Sequence, residues 1–399
     1  AELRQVRTQL REVALSEPAS DPRAPSDPSR HRARLAARAA QLEDSVRRQN
    51  LRVNDRDGFR TGRIDMAALR AALGDRWLVE FVTSEGRLYA ITVNGERTRL
   101  HRLGSGSIED EKRYLLFAMR RLLTDPRRPG GAAALAATAA RLDSMLLAPL
   151  RIPPVVPVVI VPTGTLHGLP WPALPTLSRR PATVAPSAAI WLAGARSAPD
   201  PKSTPTPDGG EAGTVALIAG PGLPAAVEEV DQLAALYGRA DRLVGSAATA
   251  PAVLSALERA AVAHLAAHGT FRADSPMFSS VLLADGPLTV YDLERLRRAP
   301  DTVVVAACDA AVSAVRTGDG LLGTGAALIG LGVRSVVAPV MPVPDHATVP
   351  IMVALHRHLL AGDTPAEALA NAQAGQDPAV GAALICIGCD DRPSTAGLL

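Results

Sequence analysis

Two short segments of this sequence end on side chains able to do nucleophilic and acid–base chemistry. "VAHLAAHGTF", residues 262–271, carries His268 followed by Gly269. "VVVAACDAA", residues 303–311, carries Cys308 followed by Asp309. A thiol is only slightly ionised at neutral pH. An adjacent imidazole raises the thiolate fraction and can later protonate a leaving amine. Gly269 has no Cβ, so its N–H can approach a substrate carbonyl. With the N–H of Cys308 it could stabilise a tetrahedral oxyanion. The plain alternative for Cys308 is a small apolar filler at the end of a buried strand. One Cys and one His at strand ends also arise by chance, so both readings stand on these residues alone.

The elements around them decide whether the two side chains can meet. From residue 213 onward, strand and helix patterns alternate. Strands are expected at 214–219, 242–244, 261–267, 302–307, 334–341 and 382–388. Helices are expected at 224–237, 249–260, 291–298, 321–331 and 346–360, and a hairpin around "SSVLLADGPLTV". A last helix opens with "TPAE", where Thr364 and Glu367 form a capping box around Pro365. Such alternation means a mostly parallel sheet covered on both faces. Ligands bind such sheets outside the carboxyl ends of the strands. His268 and Cys308 are 40 residues apart (308 − 268), about one crossover. Their strands can be neighbours, with both side chains at one rim.

The earlier part of the chain reads differently. Residues 1–67 form an N-terminal helical segment broken by Pro18, Pro22, Pro25 and Pro28. Its second helix carries a stripe of Leu35, Ala39, Leu42 and Val46, which must dock on something. That partner is either the main body or a helical repeat lying upstream. Residues 68–195 begin with a short helix ended by Gly74, then three strands joined by Glu-Gly and Asn-Gly turns. Helices around 110–123 and 131–148 and a buried strand Val155–Val161 follow. Residues 196–212, rich in Pro, Ser, Asp and Gly, read as a linker, and 213–399 as the half that carries His268 and Cys308.

The order of motifs resembles the CHAT domain family, caspase-like peptidases related to separase. "VAHLAAHGTF" and "VVVAACDAA" are similar to its two catalytic segments. "VVIVPTGTLHGLPWPAL" and "TVAPSAAIWL" resemble its Pro/Gly strand-loop and the "PS" strand after it. "VALIAGPGLPAAVEEVDQLAAL" resembles the strand and Glu-bearing helix that open the catalytic half. "GDGLLGTGAALIGLGVRSVVAPVMPVPDHAT", "AEALANAQ" and "ALICIGCD" resemble its closing elements. The resemblance covers roughly residues 68–390. It implies an α/β fold, a caspase-like α/β/α sandwich with a mostly parallel sheet, preceded by a β-rich, pseudo-catalytic half and N-terminal helices. It implies that His268 is the general base, Cys308 the nucleophile and Gly269 the oxyanion residue of a cysteine endopeptidase acting on a protein substrate. Asp345, in the turn after the next strand, would receive a basic P1 side chain, and Asp309 is a second candidate for lining that pocket. Asp345 also sits where a helix cap is wanted. Many members have Trp where Met341 stands, and Glu-Thr where this chain has Asp309-Ala310; both differences bear on subsite preference. Control by a partner protein or an upstream helical region follows by family analogy. The alternative is a non-proteolytic interaction module on the same fold.

Composition narrows the remaining classes. The 399 residues are 47% hydrophobic, 21% charged and only 3% aromatic, with a formal net charge of +3. The Arg residues are interleaved with Asp and Glu and lack alternating aromatics, so no nucleic-acid groove is expected. No apolar run reaches the length of a membrane span. Three cysteines do not make a disulfide framework, and a reducing, cytoplasmic setting is expected. The chain begins without Met, which is consistent with a piece of a longer protein. No cofactor or metal is expected. "GDGLLG", residues 318–323, satisfies the dinucleotide fingerprint but lies about ten residues past its strand, and reads as a flexible loop. His264 and His268 would stand about 13 Å apart along a strand, so His264 reads as a hydrogen-bonded core residue. Cys386 and Cys389 give only two of the four sulfurs a zinc shell needs. His167 reads as structural.

Overall fold

The computed structural model describes residues 64–104, 107–196, 214–270, 272, 276–306 and 317–390, together with Arg34 and Arg38. Most of the N-terminal helical segment, linker residues 197–212, Cys308 and Asp309 therefore lie outside the described residues.

The chain opens with helix α1 (Met66–Leu73), capped at its start by Asp65, which accepts from Ala67 N at 2.9 Å, and ended by Gly74 at φ 54°. An antiparallel meander follows: β1 (Trp77–Ser84), β2 (Arg87–Val93) and β3 (Thr98–Arg102). Helices α2 (Ile108–Thr124) and α3 (Gly131–Leu146) pack together. Strands β4 (Val158–Val161) and β5 (Ala182–Val184) and helix α4 (Ala188–Arg196) complete the first half.

The second half alternates as expected. Its elements are β6 (Thr214–Ala219), α5 (Pro224–Ala234), β7 (Ala240–Val244), α6 (Ala250–Arg259) and β8 (Ala260–Ala266). A small antiparallel sheet of β9 (Gly269–Thr270), β10 (Ser280–Leu283) and β11 (Gly286–Thr289) leads to α7 (Val290–Leu293). Then come β12 (Thr302–Val305), α8 (Thr317–Gly330), β13 (Ser335–Pro339), α9 (Asp345–Leu360), α10 (Pro365–Gln373), α11 (Pro378–Ala382) and β14 (Leu384–Gly388). The capping box of Thr364 and Glu367 is present in full.

All strands but the small sheet join one eleven-stranded sheet in the order β3-β2-β1-β4-β5-β14-β13-β12-β8-β6-β7. β13, β12, β8, β6 and β7 run parallel to one another. β1, β4, β5 and β14 are also mutually parallel, but β14 runs antiparallel to β13. The sheet therefore reverses direction between β13 and β14. The carboxyl ends of β4, β5 and β14 lie at the edge opposite those of β13, β12, β8 and β6. Every residue of β8, β12 and β13 is buried, the mark of parallel strands covered on both faces.

Several expectations need correcting. The strand expected from Val155 begins only at Val158. Pro157 supplies no N–H to a ladder, and Val155 lies at φ 73° with 85% of its surface exposed. The "PS" segment is a strand only over Ala182–Val184. Ser187 then accepts from Ile190 N at 3.1 Å and starts a helix. α7 is one turn rather than eight residues, and β12 stops at Val305. Gly131–Leu150 has the length and mean hydropathy to cross a membrane, although Arg141 and Asp143 interrupt its apolar run. Within this fold its Leu135, Ala139, Leu142 and Leu146 are buried. Its Arg141 pairs with Glu111 at 2.9 Å, and its Asp143 accepts from Thr176 N and Oγ1.

Asp390, just after β14, ties the last strand to α10: its carboxylate accepts from Ala366 N at 2.7 Å. Burial pushes its pKa up to about 7, against the lowering effect of that bond and of nearby Arg76. The folded state thus takes up this proton at a higher pH than the unfolded chain. Stability contributed here falls as pH rises from about 4 to about 7. Asp390→Asn should flatten that slope. Urea unfolding of both proteins at pH 4.5 and 7.5 should show a difference that changes by about 3 kcal/mol across the interval, since most of the shift of about three pKa units lies within it. Parallel pH profiles would refute the assignment.

Candidate active-site rim

Four parallel strands deliver their carboxyl ends to one edge. β8 pairs with β12 in the register Val305↔Leu265, and Ala306 N donates to Leu265 O at 3.1 Å. β8 also pairs with β6 in the register Ala219↔Ala266, and Gly220 N donates to Ala266 O at 2.9 Å. His268 stands two residues past the end of β8, half-buried. It is flanked by the loop leaving β6 on one side and by the point where the chain leaves β12 on the other. β13 ends at the same edge and leads through Met341 into α9, whose first residue is Asp345.

The loop after β6 fits closely against this strand end. A Cβ on Gly220 would come within 2.6 Å of Ala267 Cβ and 2.7 Å of Leu282 O. Gly222, at φ 80°, lies so close that its Cβ would stand 3.6 Å from His268 Nε2. These glycines were not picked out from the sequence, although "AGPG" directly after a buried strand is the signal for such an approach.

Gly269 lies in β9 opposite Val281. Leu282 N donates to His268 O at 2.8 Å, so residues 268 and 282 are the hydrogen-bonded pair. In an antiparallel ladder the next pair, Gly269 and Val281, is then the non-hydrogen-bonded one. The Gly269 N–H accordingly faces away from β10.

Asp345 is the first residue inside α9, not the cap. Pro344 occupies the cap position and makes no side-chain bond there. A carboxylate in the first turn favours the positive end of the helix dipole. The rim thus brings His268, Gly269 and Asp345 to one edge of the sheet; Cys308 and Asp309 lie outside the described residues.

The other candidates lie elsewhere. His167 is in a 3-10 turn, Gly164–Gly168, after β4, at the opposite edge of the sheet, and this turn packs against α8. Cys386 is in β14 and Cys389 follows it; both are buried, and burial pushes the Cys386 thiol well up. Residues 318–323 lie within α8, which begins at Thr317, so their glycines form no strand-to-helix turn and no expected loop. Among the described residues no group of three or more His, Cys, Asp or Glu side chains is placed to hold a metal ion. His264 is fully buried and hydrogen-bonded, as its strand position suggested: its Nε2 lies 2.7 Å from Glu229 Oε1 and its Nδ1 3.1 Å from His356 Nε2. Those partners, on α5 and α9, were not legible in advance.

A large mostly parallel sheet between helices, with its candidate site at a strand-end rim, defines the class: this is the fold of caspase-like cysteine peptidases. The structure superposes on Saccharomyces cerevisiae separase, solved in complex with securin, with a TM-score of 0.55 at 10% identity. The match covers 81% of this chain and 31% of the separase chain, so the protein spans about a third of that relative. Gingipain R, an Arg specific cysteine proteinase, aligns with a TM-score of 0.40 at 10% identity, over 71% of this chain and 75% of the other. The CHAT domain family model matches residues 136–376, more than half of the sequence. The chain belongs to the CHAT domain family. A search of curated proteins finds no match to it.

The tight contact at Gly220 has a measurable consequence. Gly220→Ala should cost about 1–3 kcal/mol, the usual penalty for overpacking, because the contacting atoms include the Leu282 carbonyl oxygen. Equal denaturant midpoints for the two proteins would show that the loop accommodates the methyl group freely.

Proposed function

We propose that the protein is a cysteine endopeptidase that hydrolyses peptide bonds of a protein substrate through His268 and Cys308. The observation that carries this reading is the parallel β8–β12 pair, which ends both strands at one rim. Cys308 follows Ala306 by two residues, so covalent geometry keeps their Cα atoms within about 7.6 Å. In the first step the His268 imidazole takes the thiol proton, and the sulfur bonds to the carbonyl carbon of the scissile peptide. Negative charge moves to the carbonyl oxygen, where the outward N–H of Gly269 and the N–H of Cys308 would receive it. The imidazolium then protonates the departing amine as the C–N bond breaks, leaving a thioester. Water, deprotonated by His268, cleaves the thioester and releases the acid and the thiol.

Asp345 in the first turn of α9, with Asp309 beside the nucleophile, supplies negative charge suited to a basic P1 side chain. Family membership supports regulation by a partner protein or an upstream helical region, and the separase relative was crystallised with the protein securin. The three cysteines fit a cytoplasmic setting.

A peptide chloromethyl ketone ending in Arg tests the reading. Intact protein should gain one inhibitor mass, mapped to Cys308. Cys308→Ala should gain none, and His268→Ala should react at least about a hundredfold more slowly, the usual contribution of a general base. An intact, folded protein that stays unlabelled would instead be the interaction module of this fold.

A further inference from the structure

The catalytic reading leaves unused a chain of polar side chains in the core. Tyr237 Oη lies 2.6 Å from His356 Nδ1, His356 Nε2 3.1 Å from His264 Nδ1, and His264 Nε2 2.7 Å from Glu229 Oε1. Thr348 Oγ1 lies 3.2 Å from Glu229 Oε2 and 2.7 Å from the carbonyl oxygen of Asp345, and its one proton is shared between these two acceptors. His264 and His356 are fully buried, and Glu229 and Thr348 are each 2% exposed. Three elements meet here: Glu229 comes from α5, His264 from β8, and Thr348 and His356 from α9.

Each ring nitrogen in the chain has a polar partner. Burial pushes the Tyr237 hydroxyl upward, so it keeps its proton. Burial first, then adjacent His264, hold His356 well below the ordinary histidine value, so its ring is neutral and carries one N–H. On either nitrogen that N–H meets a partner, Tyr237 or His264. The chain ends on a carboxylate whose second oxygen faces Thr348.

One end of this network reaches the proposed site, where Thr348 holds the carbonyl of Asp345. Its middle, His264, stands in β8 four residues before His268. A helix start has four amides without intrahelical partners, so its first turn is the easiest part of α9 to shift. Hydrophobic contacts between α5, β8 and α9 would tolerate small sliding. Hydrogen bonds of fixed length would not.

We propose that Glu229, His264 and Thr348 are positioning residues that lock the first turn of α9, with Asp345, against the strand that carries His268. The inference rests on the peptidase reading for its consequence: these residues set how well a basic P1 side chain is held, without touching the reacting atoms.

The test uses Thr348→Val, which keeps shape and removes the hydroxyl, Thr348→Ser, which keeps it, and Glu229→Gln. With a peptide substrate carrying Arg at P1, Thr348→Val should raise KM about three- to tenfold, the worth of one hydrogen bond, with kcat within about twofold. Thr348→Ser should restore the KM. Alkylation of Cys308 by iodoacetamide, which has no P1 group, should proceed at the original rate in all three. In parallel, hydrogen exchange over residues 345–349 should quicken in Thr348→Val and Glu229→Gln. An unchanged KM, an equal fall of kcat with Thr348→Val, or unchanged exchange in folded variants would overturn the proposal. Should the intact protein cleave no Arg peptide and resist alkylation, the peptidase reading fails by itself. The exchange measurement then still decides whether the turn is held as described.

Discussion

The arrangement depends on the parallel pairing of β8 with β12. Both are buried on both faces, and the whole of β12 pairs in register with β8, Thr302 opposite Val262 and Val305 opposite Leu265, one residue short of the end of β8. Antiparallel pairing would send one strand end to the far edge and separate His268 from the chain leaving β12 by the length of the strand. Parallel strands need a crossover, and here it is supplied by β9–β11 and α7. The crossover does more than connect. Its first residues, Gly269 and Thr270, pair with β10 and fix the backbone immediately after the candidate general base. The same connection that returns the chain to the sheet therefore also sets the direction of the Gly269 N–H.

The reversal between β13 and β14 explains why the two halves have different parts in the molecule. One continuous sheet joins them through the β5–β14 pair. Yet the strands of the first half, β4 and β5, end at the edge away from His268. Side chains such as His167 that look reactive in sequence are thereby taken out of reach. The first half covers and extends the sheet, and its core is rich in large side chains, including Trp171 and Trp191 at 0% and 1% exposure. The rim that carries the proposed chemistry belongs to the second half alone.

Much of this was legible from local patterns, for physical reasons. β6, β8, β12 and β13 are short, mostly apolar runs, as parallel burial demands, and each was placed within two residues. Thr364 and Glu367 announced a helix start through a bond pattern confined to four residues. The turns Glu85-Gly86 and Asn94-Gly95 gave the meander in the same way. What failed was where a local pattern has two outcomes. Val155 looked like a strand residue, but the surrounding prolines deny the ladder its donors. "PSAAIWL" continued a strand by resemblance, whereas Ser187 is a cap. Direction along the sheet was also invisible: no residue of β14 says whether its neighbour runs with it or against it. The partners of His264 were hidden for a related reason. Glu229 is 35 residues before it and His356 is 92 after it, and only the packed layers bring them together.

A buried His on a strand otherwise made of Ala, Val and Leu is costly unless each of its nitrogens has a partner. Replacing such a chain with apolar side chains of equal volume often loses no stability. Packing alone therefore gives little reason for Glu229, His264 and His356 to share the core. What the chain adds is definition. Methyl groups on α9 can settle against β8 and α5 in several nearly equal ways. A carboxylate shared between an imidazole and a hydroxyl settles in one, because moving α9 by even an ångström leaves a buried polar group without a partner. The consequence falls where α9 begins, at the turn that enters the rim. A site assembled from the ends of separate strands has no covalent link to hold its parts in register. Here the register is kept from below, by polar bonds in the layer between the sheet and its covering helices.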